Sequence, residues 1–143
     1  MPKSLVLLDT WALLALINEN DQWHPQATKI GLELAALKRP RIVTDWILAE
    51  FLGCAAEPPL RHHAIRSVEK LQRSRLVEIV PATRQEWERA FAFYHARLDK
   101  SWSLVDCVSI LLCQERGIQE VFTGDHHFEQ AGLQILLRPP KKK

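Results

Sequence analysis

The amino-acid sequence predicts an α/β protein: a three-layer α/β/α sandwich with a central five-stranded parallel sheet. Short runs of apolar residues alternate with longer segments whose apolar residues recur at helical spacing, which is typical of strand–helix–strand units. The short runs are continuous rather than alternating, so we expect both faces of the sheet to be covered. The 143 residues contain no internal repeat or linker, and they fit one domain of ordinary size.

Five short runs are predicted to form the strands. Each has the length of a buried strand and is followed by a polar residue, a proline or a glycine. In chain order they are Leu5–Leu8, Arg41–Thr44, Leu76–Val80, Gln119–Thr123 and Gln134–Leu137.

The segments between these runs carry signals for helix starts and ends. Thr10 and Asp45 are predicted N-caps, and Pro25 suits a first helical turn. The segment Thr83-Arg84-Gln85-Glu86 has the pattern of a capping box, and Gly117 suits the position just after a helix. The predicted helices are Trp11–Asn18, a helix from His24-Pro25 to Arg39-Pro40, Trp46–Ala56, Arg61–Ser74, a helix from Thr83 to about Leu98, and Ser103–Arg116.

Composition narrows the functional classes only slightly. A net charge of +2 and a pI near 8.5 neither require nor exclude nucleic acid as a partner. The cysteines Cys54, Cys107 and Cys113 form no CxxC pair, which favours reduced thiols over a zinc site. The first apolar run is too short for a signal peptide and no segment is long enough to span a membrane, so we expect a cytoplasmic protein without membrane contact. Residues 1–137 are expected to form the domain and residues 138–143 a flexible basic tail.

Four acidic residues lie at the ends of apolar runs or inside apolar helices: Asp9, Glu50, Asp106 and Asp125. A buried carboxylate is costly unless a positive or hydrogen-bonding group meets it. Asp9 and Asp125 follow predicted strands, at the edge where parallel sheets bind ligands. Because no buried Lys or Arg accompanies the four acids, we predict that they hold one or two Mg²⁺ or Mn²⁺ ions. Such ions polarise a phosphoryl oxygen and activate water, which favours a hydrolase of phosphodiesters.

Simpler interpretations exist for three of the four acids. Asp106 follows Ser103 by three residues and is suited to a capping box. Asp125 is suited to a turn after Gly124, and Glu50 to the solvated flank of an apolar stripe. The conjunction of all four favours a site.

Four segments carry these acids: Leu7-Leu8-Asp9-Thr10, Asp45-Trp46-Ile47-Leu48-Ala49-Glu50, Trp102-Ser103-Leu104-Val105-Asp106-Cys107 and Phe122-Thr123-Gly124-Asp125-His126-His127-Phe128. In order and content they resemble the successive motifs of PIN domains, and most closely those of the short VapC-type toxins of bacterial and archaeal toxin–antitoxin pairs. The resemblance runs from about residue 5 to residue 136. Two departures are visible: Asp45 stands where Ser or Thr is common, and Gly124 precedes the fourth acid.

The resemblance implies a Mg²⁺- or Mn²⁺-dependent endoribonuclease that leaves a 5′-phosphate and a 3′-hydroxyl. It also implies a homodimer and inhibition by a cognate VapB-like antitoxin. The four acids would be the catalytic and metal-binding residues. The hydroxyls of Thr10 and Ser103 would support them by orienting carboxylates or water.

RNA needs positive or aromatic groups beside the acidic pocket. Lys100 and Trp102 flank the third motif and His126 and His127 the fourth, and Lys100, Trp102 and His126 are the predicted substrate contacts. Core packing is the simpler interpretation of Trp102, and solvent exposure or capping that of the two histidines.

Three other functions remain as alternatives. A haloacid-dehalogenase-like phosphatase would use Asp9 as nucleophile, but it needs a second Asp two residues later, where this chain has Trp11. A non-catalytic interaction module would not need four intact acids. A metal-free ribonuclease could draw on the six histidines.

Overall fold

The computed structural model describes residues 3–139, in which a five-stranded parallel sheet is surrounded by helices. The strands are β1 (Val6–Leu8), β2 (Arg41–Thr44), β3 (Val77–Val80), β4 (Glu120–Phe122) and β5 (Gln134–Ile135). The helices are α1 (Thr10–Ile17), α2 (His24–Ala36), α3 (Asp45–Cys54), α4 (Leu60–Arg73), α5 (Arg84–Ala96), α6 (Leu104–Arg116) and α7 (His127–Gln130). The predicted fold class is therefore confirmed.

The sheet has the strand order β3-β2-β1-β4-β5, and all neighbouring strands are parallel. The chain first proceeds from β1 outward to β3 and then returns to the other side of β1 to form β4 and β5. The strand order thus reverses between β1 and β4. Parallel sheets bind ligands outside the carboxyl ends of the strands at such a reversal.

The register of β1 on β4 determines which residues emerge together at that edge. Leu8 pairs with Phe122, so the next residues, Asp9 and Thr123, leave the sheet side by side. The Asp9 amide donates to the Phe122 carbonyl over 3.3 Å, which continues the pairing one residue beyond β1.

The helices divide into two groups by their contacts. α1 packs against α2, α3 and α4, whereas α5 packs mainly against α6. The two groups correspond to the two crossover directions of the chain. The central strands are consequently covered, and their apolar residues are fully buried, as the continuous runs predicted. The fully buried large side chains include Leu7, Ile42, Val43, Val121, Phe122, Phe51, Ile110 and Phe128.

The structure corrects two predicted helix caps. Thr10 is the first residue of α1, and no side chain caps that helix. Thr44 rather than Asp45 caps α3, because the Thr44 hydroxyl accepts the Ile47 amide over 3.1 Å. Asp45 instead accepts the Ala82 amide over 3.2 Å. The hydroxyl residue that is common at Asp45 in the resembling family is thus present as Thr44, one position earlier in the chain.

Several boundaries also differ. α2 ends at Ala36, earlier than the predicted stop at Arg39-Pro40, and Lys38 turns the chain with a φ of 52°. The short helix α7 was not predicted, because four residues are too few for a helical periodicity. Gly117 ends α6 as predicted: its φ of 65° is left-handed, and the Ile118 amide closes the turn on the Cys113 carbonyl.

Arg138 begins the predicted basic tail, and its carbonyl accepts a hydrogen bond from the Gln26 side chain over 3.1 Å. The Arg138 guanidinium donates to the Ile135 carbonyl. The rest of the predicted tail, from Pro140 to Lys143, lies outside the described residues. Within the described range no helix is long and apolar enough to cross a membrane.

Candidate active site

Asp9 lies at the point where the strand order reverses, and its side chain is almost completely buried, with 4 % of its surface exposed. The hydroxyl of Thr123 donates a hydrogen bond of 2.7 Å to Asp9 Oδ2. The same hydroxyl oxygen accepts the Asp125 amide over 3.1 Å. Thr123 therefore links the first and the fourth predicted acids.

The surroundings of Asp9 disfavour its charged form. Burial raises the pKa of Asp9 to about 7, the hydrogen bond from Thr123 acts against this rise, and the charges of Asp106, Glu50 and Asp125 add to it. All three other predicted acids are thus close enough to Asp9 to affect its ionisation. The four carboxylates, which come from four separate segments, share one electrostatic environment.

Asp106 occupies the first turn of α6 and is held by a reciprocal capping box. The Asp106 amide donates to the Ser103 hydroxyl, and the Ser103 amide donates to Asp106 Oδ2, both over 3.0 Å. Burial raises the pKa of Asp106, and the charge of Asp125 raises it further. The capping interpretation of this pair is confirmed, and the same carboxylate also points towards the other acids.

Asp125 stands in the turn after β4, where its Oδ1 accepts the His127 amide over 2.9 Å. The turn interpretation of this residue is therefore also confirmed. Asp125, Asp106 and His127 offer ligand atoms that all lie within 4.8 Å of one another. Two predicted site residues thus meet a third that was not predicted.

His127 is the residue that the sequence prediction missed. Its Nδ1 lies 3.2 Å from Asp125 Oδ1 and 3.5 Å from Asp106 Oδ2. The neighbouring His126, which was predicted to contact substrate, has 73 % of its side chain exposed, and its Nδ1 lies 4.0 Å from Asp125 Oδ1. The two histidines differ because of the turn at Asp125, a feature of the structure that directs the second histidine back towards the acids.

Glu50 lies on α3 and is half-buried. It contributes to the pKa of Asp9, but it is not one of the three residues whose ligand atoms lie within 4.8 Å. The structure therefore places Glu50 at the margin of the group.

The predicted supporting residues divide into two. Ser103 contacts Asp106 directly. The Thr10 hydroxyl instead donates to the Ile47 carbonyl over 3.5 Å, so the expected contact with a carboxylate is absent for Thr10 among the described residues. Thr123 provides the hydroxyl that we had expected from Thr10.

Trp102 is a core residue with 5 % of its surface exposed. Its indole N–H lies 3.2 Å from both the His127 carbonyl and Gln130 Oε1. Arg97 and Lys100 lie over the ring, at 5.0 and 5.8 Å from its centroid. The ring therefore has no free face for a base, and the prediction that Trp102 stacks on RNA gives way to the packing interpretation.

A steric restriction explains why glycine precedes the fourth acid. A Cβ atom at this position would lie 2.7 Å from the ring of Trp11, closer than real side chains approach. Trp11 in turn packs edge-on against Trp23, with ring centroids 5.1 Å apart. A side chain larger than hydrogen at position 124 would displace either the tryptophan or the turn that carries Asp125.

The sequence profile of the PIN domain matches residues 6–133, nearly the whole chain. The protein belongs to the PIN domain family. The recognised motifs and the strand order of this PIN domain agree with that assignment. No curated protein sequence matches the chain at a significant level.

Solved structures support the fold independently. VapC20 of Mycobacterium tuberculosis, described as a sarcin–ricin loop cleaving toxin, superimposes with a TM-score of 0.78 at 24% identity, over 94% of this chain and 99% of VapC20. The DNA-bound VapBC of Salmonella typhimurium gives a TM-score of 0.61 at 19% identity, over 94% and 97% of the two chains. VapBC2 of Rickettsia felis, bound to a promoter DNA fragment, gives 0.61 at 15% identity over 92% and 96%. At these identities the likeness concerns the fold.

The donor set of this PIN domain fits a divalent cation. Among the described residues no lysine or arginine forms an ion pair with any of the four carboxylates, and the basic side chains within 4.0 Å of them are the rings of His126 and His127. Burial is the main cause of the raised pKa values of Asp9 and Asp106, and the charges of neighbouring carboxylates add to the rise. Carboxylate oxygens are the ligands that Mg²⁺ and Mn²⁺ accept, so the residues present suit such an ion.

Proposed function

We propose that this PIN domain is a Mg²⁺- or Mn²⁺-dependent endoribonuclease. Asp9, Glu50, Asp106 and Asp125 would hold one or two ions and form the catalytic centre. The observation that carries the proposal is the buried Asp9 carboxylate, which lies at the sheet reversal with three further acids acting on its pKa. Gathering three further like charges around one buried carboxylate is unfavourable unless a cation joins them.

When bound, the metal supplies a Lewis acid that stabilises negative charge on phosphate and makes water a better nucleophile. The chain's own residues hold the carboxylates in place for this task. Thr123 donates to Asp9 Oδ2, and the Ser103 amide donates to Asp106 Oδ2. Each bond holds the carboxylate of one acid in position.

The positive charge that an RNA backbone requires lies beside the third motif. We propose that Lys100 contacts phosphate, because it precedes the Ser103 cap of α6 by three residues and keeps a quarter of its side chain exposed. Arg97, packed over the same tryptophan ring, adds a second cation. The exposed His126 remains a proposed substrate contact at the rim of the pocket.

We further propose that the protein acts in the cytoplasm as the toxin of a VapBC-type pair and has a VapB-like antitoxin as its partner. The proposal is supported by the coverage of both chains in the superposition on VapC20, and by the VapBC complexes among the similar structures. A homodimer is part of this proposal. α5 displays Phe91 and Tyr94 three residues apart, and Leu98 lies just beyond the end of the helix. Their surfaces are 53%, 48% and 85% exposed, which is unusual for a surface that stays free. Light scattering on the purified protein measures its oligomeric state.

The activity is tested by incubating purified protein with total RNA in EDTA, in Mg²⁺ and in Mn²⁺. We expect cleavage only with a divalent ion, products with 5′-phosphate ends, and no cleavage by Asp106→Asn. Asp99→Asn is the matched control, because Asp99 lies nearby in the chain but is exposed and pairs with Arg97. Cleavage in EDTA with cyclic phosphate ends would instead support a metal-free ribonuclease.

Metal binding has a separate readout in thermal stability. Mg²⁺ should raise the melting temperature of the wild type and raise that of Asp106→Asn less, because the variant has lost one ligand and one repelling charge. Equal shifts for both proteins would exclude a shared site. A protein that neither binds the ion nor cuts any RNA would be the non-catalytic interaction module. A small DNA-binding protein encoded by the adjacent reading frame would support the toxin assignment.

A further inference from the structure

The Nδ1 atom of His127 is buried against two carboxylates and makes no hydrogen bond within residues 3–139. Asp125 Oδ1 lies 3.2 Å away and Asp106 Oδ2 3.5 Å away, both within contact distance of the ring nitrogen but outside hydrogen-bonding geometry. Buried polar atoms are nearly always paired, so an unpaired one at a functional site calls for an explanation.

Asp106 Oδ2, Asp125 Oδ1 and His127 Nδ1 lie close together without forming hydrogen bonds to one another. Each of the two carboxylates already has a hydrogen-bond donor on the backbone: the Ser103 amide for Asp106 and the His127 amide for Asp125. Nδ1 adds a third electron-pair donor to the same small volume, and all three lie within 4.8 Å of one another. Donor atoms that converge without pairing are arranged as ligands around a common ion.

The backbone that carries the His127 ring is anchored by hydrogen bonds and by packing. The His127 amide donates to Asp125, and its carbonyl accepts the indole N–H of the buried Trp102. The next residue, Phe128, is fully buried. The backbone on both sides of the ring is thus anchored, and the ring that it carries places Nδ1 beside the acids.

We propose that His127 is a nitrogen ligand of the divalent ion in this site, and that it shifts the metal preference from Mg²⁺ towards Mn²⁺. Imidazole suits transition metals, whereas Mg²⁺ prefers oxygen ligands only. The inference rests on the proposed metal-dependent function, which it deepens by assigning the ligand that selects the ion. It adds a ligand beyond the four acids.

Pulsed electron paramagnetic resonance on the Mn²⁺-loaded protein detects a coordinated imidazole directly through its ¹⁴N coupling. We expect the coupling in the wild type and its change to the ¹⁵N pattern when histidine is ¹⁵N-labelled, a measurement that needs no variant. His127→Gln offers an amide oxygen instead, so it should lose the coupling. His126→Gln is the matched control, since its ring is exposed, and it should keep the coupling.

Calorimetric titration with Mn²⁺ and with Mg²⁺ measures the preference independently of activity. His127→Gln should bind Mn²⁺ at least about tenfold more weakly, which is the lower range for disturbing a metal ligand's surroundings. Its affinity for Mg²⁺ should change less, and His126→Gln should match the wild type for both ions. A His127→Gln protein that binds Mn²⁺ as tightly as the wild type would overturn the inference.

Different results would refute the role of His127 and the proposed nuclease function. A wild-type protein that binds Mn²⁺ and cuts RNA but shows no ¹⁴N coupling refutes the role of His127 and leaves the nuclease proposal intact. A wild-type protein that binds neither ion and shows no metal-dependent cleavage refutes both. A coupling that disappears in His126→Gln instead would show that the wrong histidine was assigned.

Discussion

Replacing Asp9 with asparagine should stabilise the metal-free protein while abolishing its activity. Asp9 is almost fully buried, and its pKa is raised to about 7, from 3.8 for a free side chain. Between these two values the folded state holds one proton more than the unfolded state. Stability therefore falls as the pH rises from about 4 to about 7, and it stays at the lower level above pH 7.

The magnitude follows from the size of that shift. A rise of about three pH units costs the ionised form roughly 4 kcal/mol at pH 8, at 1.36 kcal/mol per unit. Asparagine has nearly the same shape and can still accept the Thr123 hydroxyl, but it carries no charge. An upper limit of about 4 kcal/mol corresponds to a rise in melting temperature of about 10 °C for a chain of this length.

The assay is thermal unfolding in EDTA at pH 4 and pH 8, followed by circular dichroism. We expect Asp9→Asn to melt well above the wild type at pH 8 and close to it at pH 4. Asp99→Asn is the control, because the hydrogen bond from Arg97 lowers the pKa of Asp99 to about 2 and its removal should not stabilise the protein. Saturating Mn²⁺ should reduce or reverse the difference, since only the wild type gains a full ligand set. The reasoning is refuted if Asp9→Asn melts at or below the wild type at pH 8 without metal.

Three further substitutions test individual contacts. Thr123→Val removes the hydroxyl that donates to Asp9, so it should lower the free energy of unfolding by about 1–3 kcal/mol and weaken Mn²⁺ binding in calorimetry. Thr123→Ser keeps the hydroxyl and should behave as the wild type, and equal losses for both variants would contradict this. Gly124→Ala places a Cβ 2.7 Å from the Trp11 ring and should destabilise the folded protein by about 1–3 kcal/mol in thermal melts. Adding Trp11→Phe should restore part of the stability, and no recovery would argue against the steric cause. Ser103→Ala loses the N-cap of α6 and should cost about 1 kcal/mol in urea unfolding, an effect that Ser103→Thr should largely avoid.

Local signals in the sequence were sufficient for most of the fold. The buried strands were predictable because a strand covered on both faces must be apolar along its whole length, as Val6, Leu7 and Leu8 are. The capping box of Ser103 and Asp106 and the left-handed Gly117 were predictable because they depend on residues close together in the chain. The caps at Thr10 and Asp45 were wrong by one residue, since adjacent polar residues compete for a cap and the tertiary environment decides between them.

The contacts inside the candidate site depended on distant parts of the chain. Thr123 and Asp9 are 114 residues apart, and only the register of β4 on β1 brings the hydroxyl to the carboxylate. Likewise, nothing in the sequence distinguished His126 from His127, because their separation depends on a turn that directs one ring outwards and the other towards the acids.

The sequence by itself determined the fold class and the order of the elements apart from α7, because apolar periodicity can be read along the chain. It also singled out four acidic side chains as the predicted site, because a carboxylate within an apolar run stands out in the sequence. Only the tertiary structure decided which hydroxyl supports Asp9, which histidine joins Asp106 and Asp125, and that Trp102 belongs to the core. The physical reason is that hydrogen bonding and metal ligation act over about 3 Å. Such distances between remote residues are set by strand register and helix packing, which the chain acquires only when it folds.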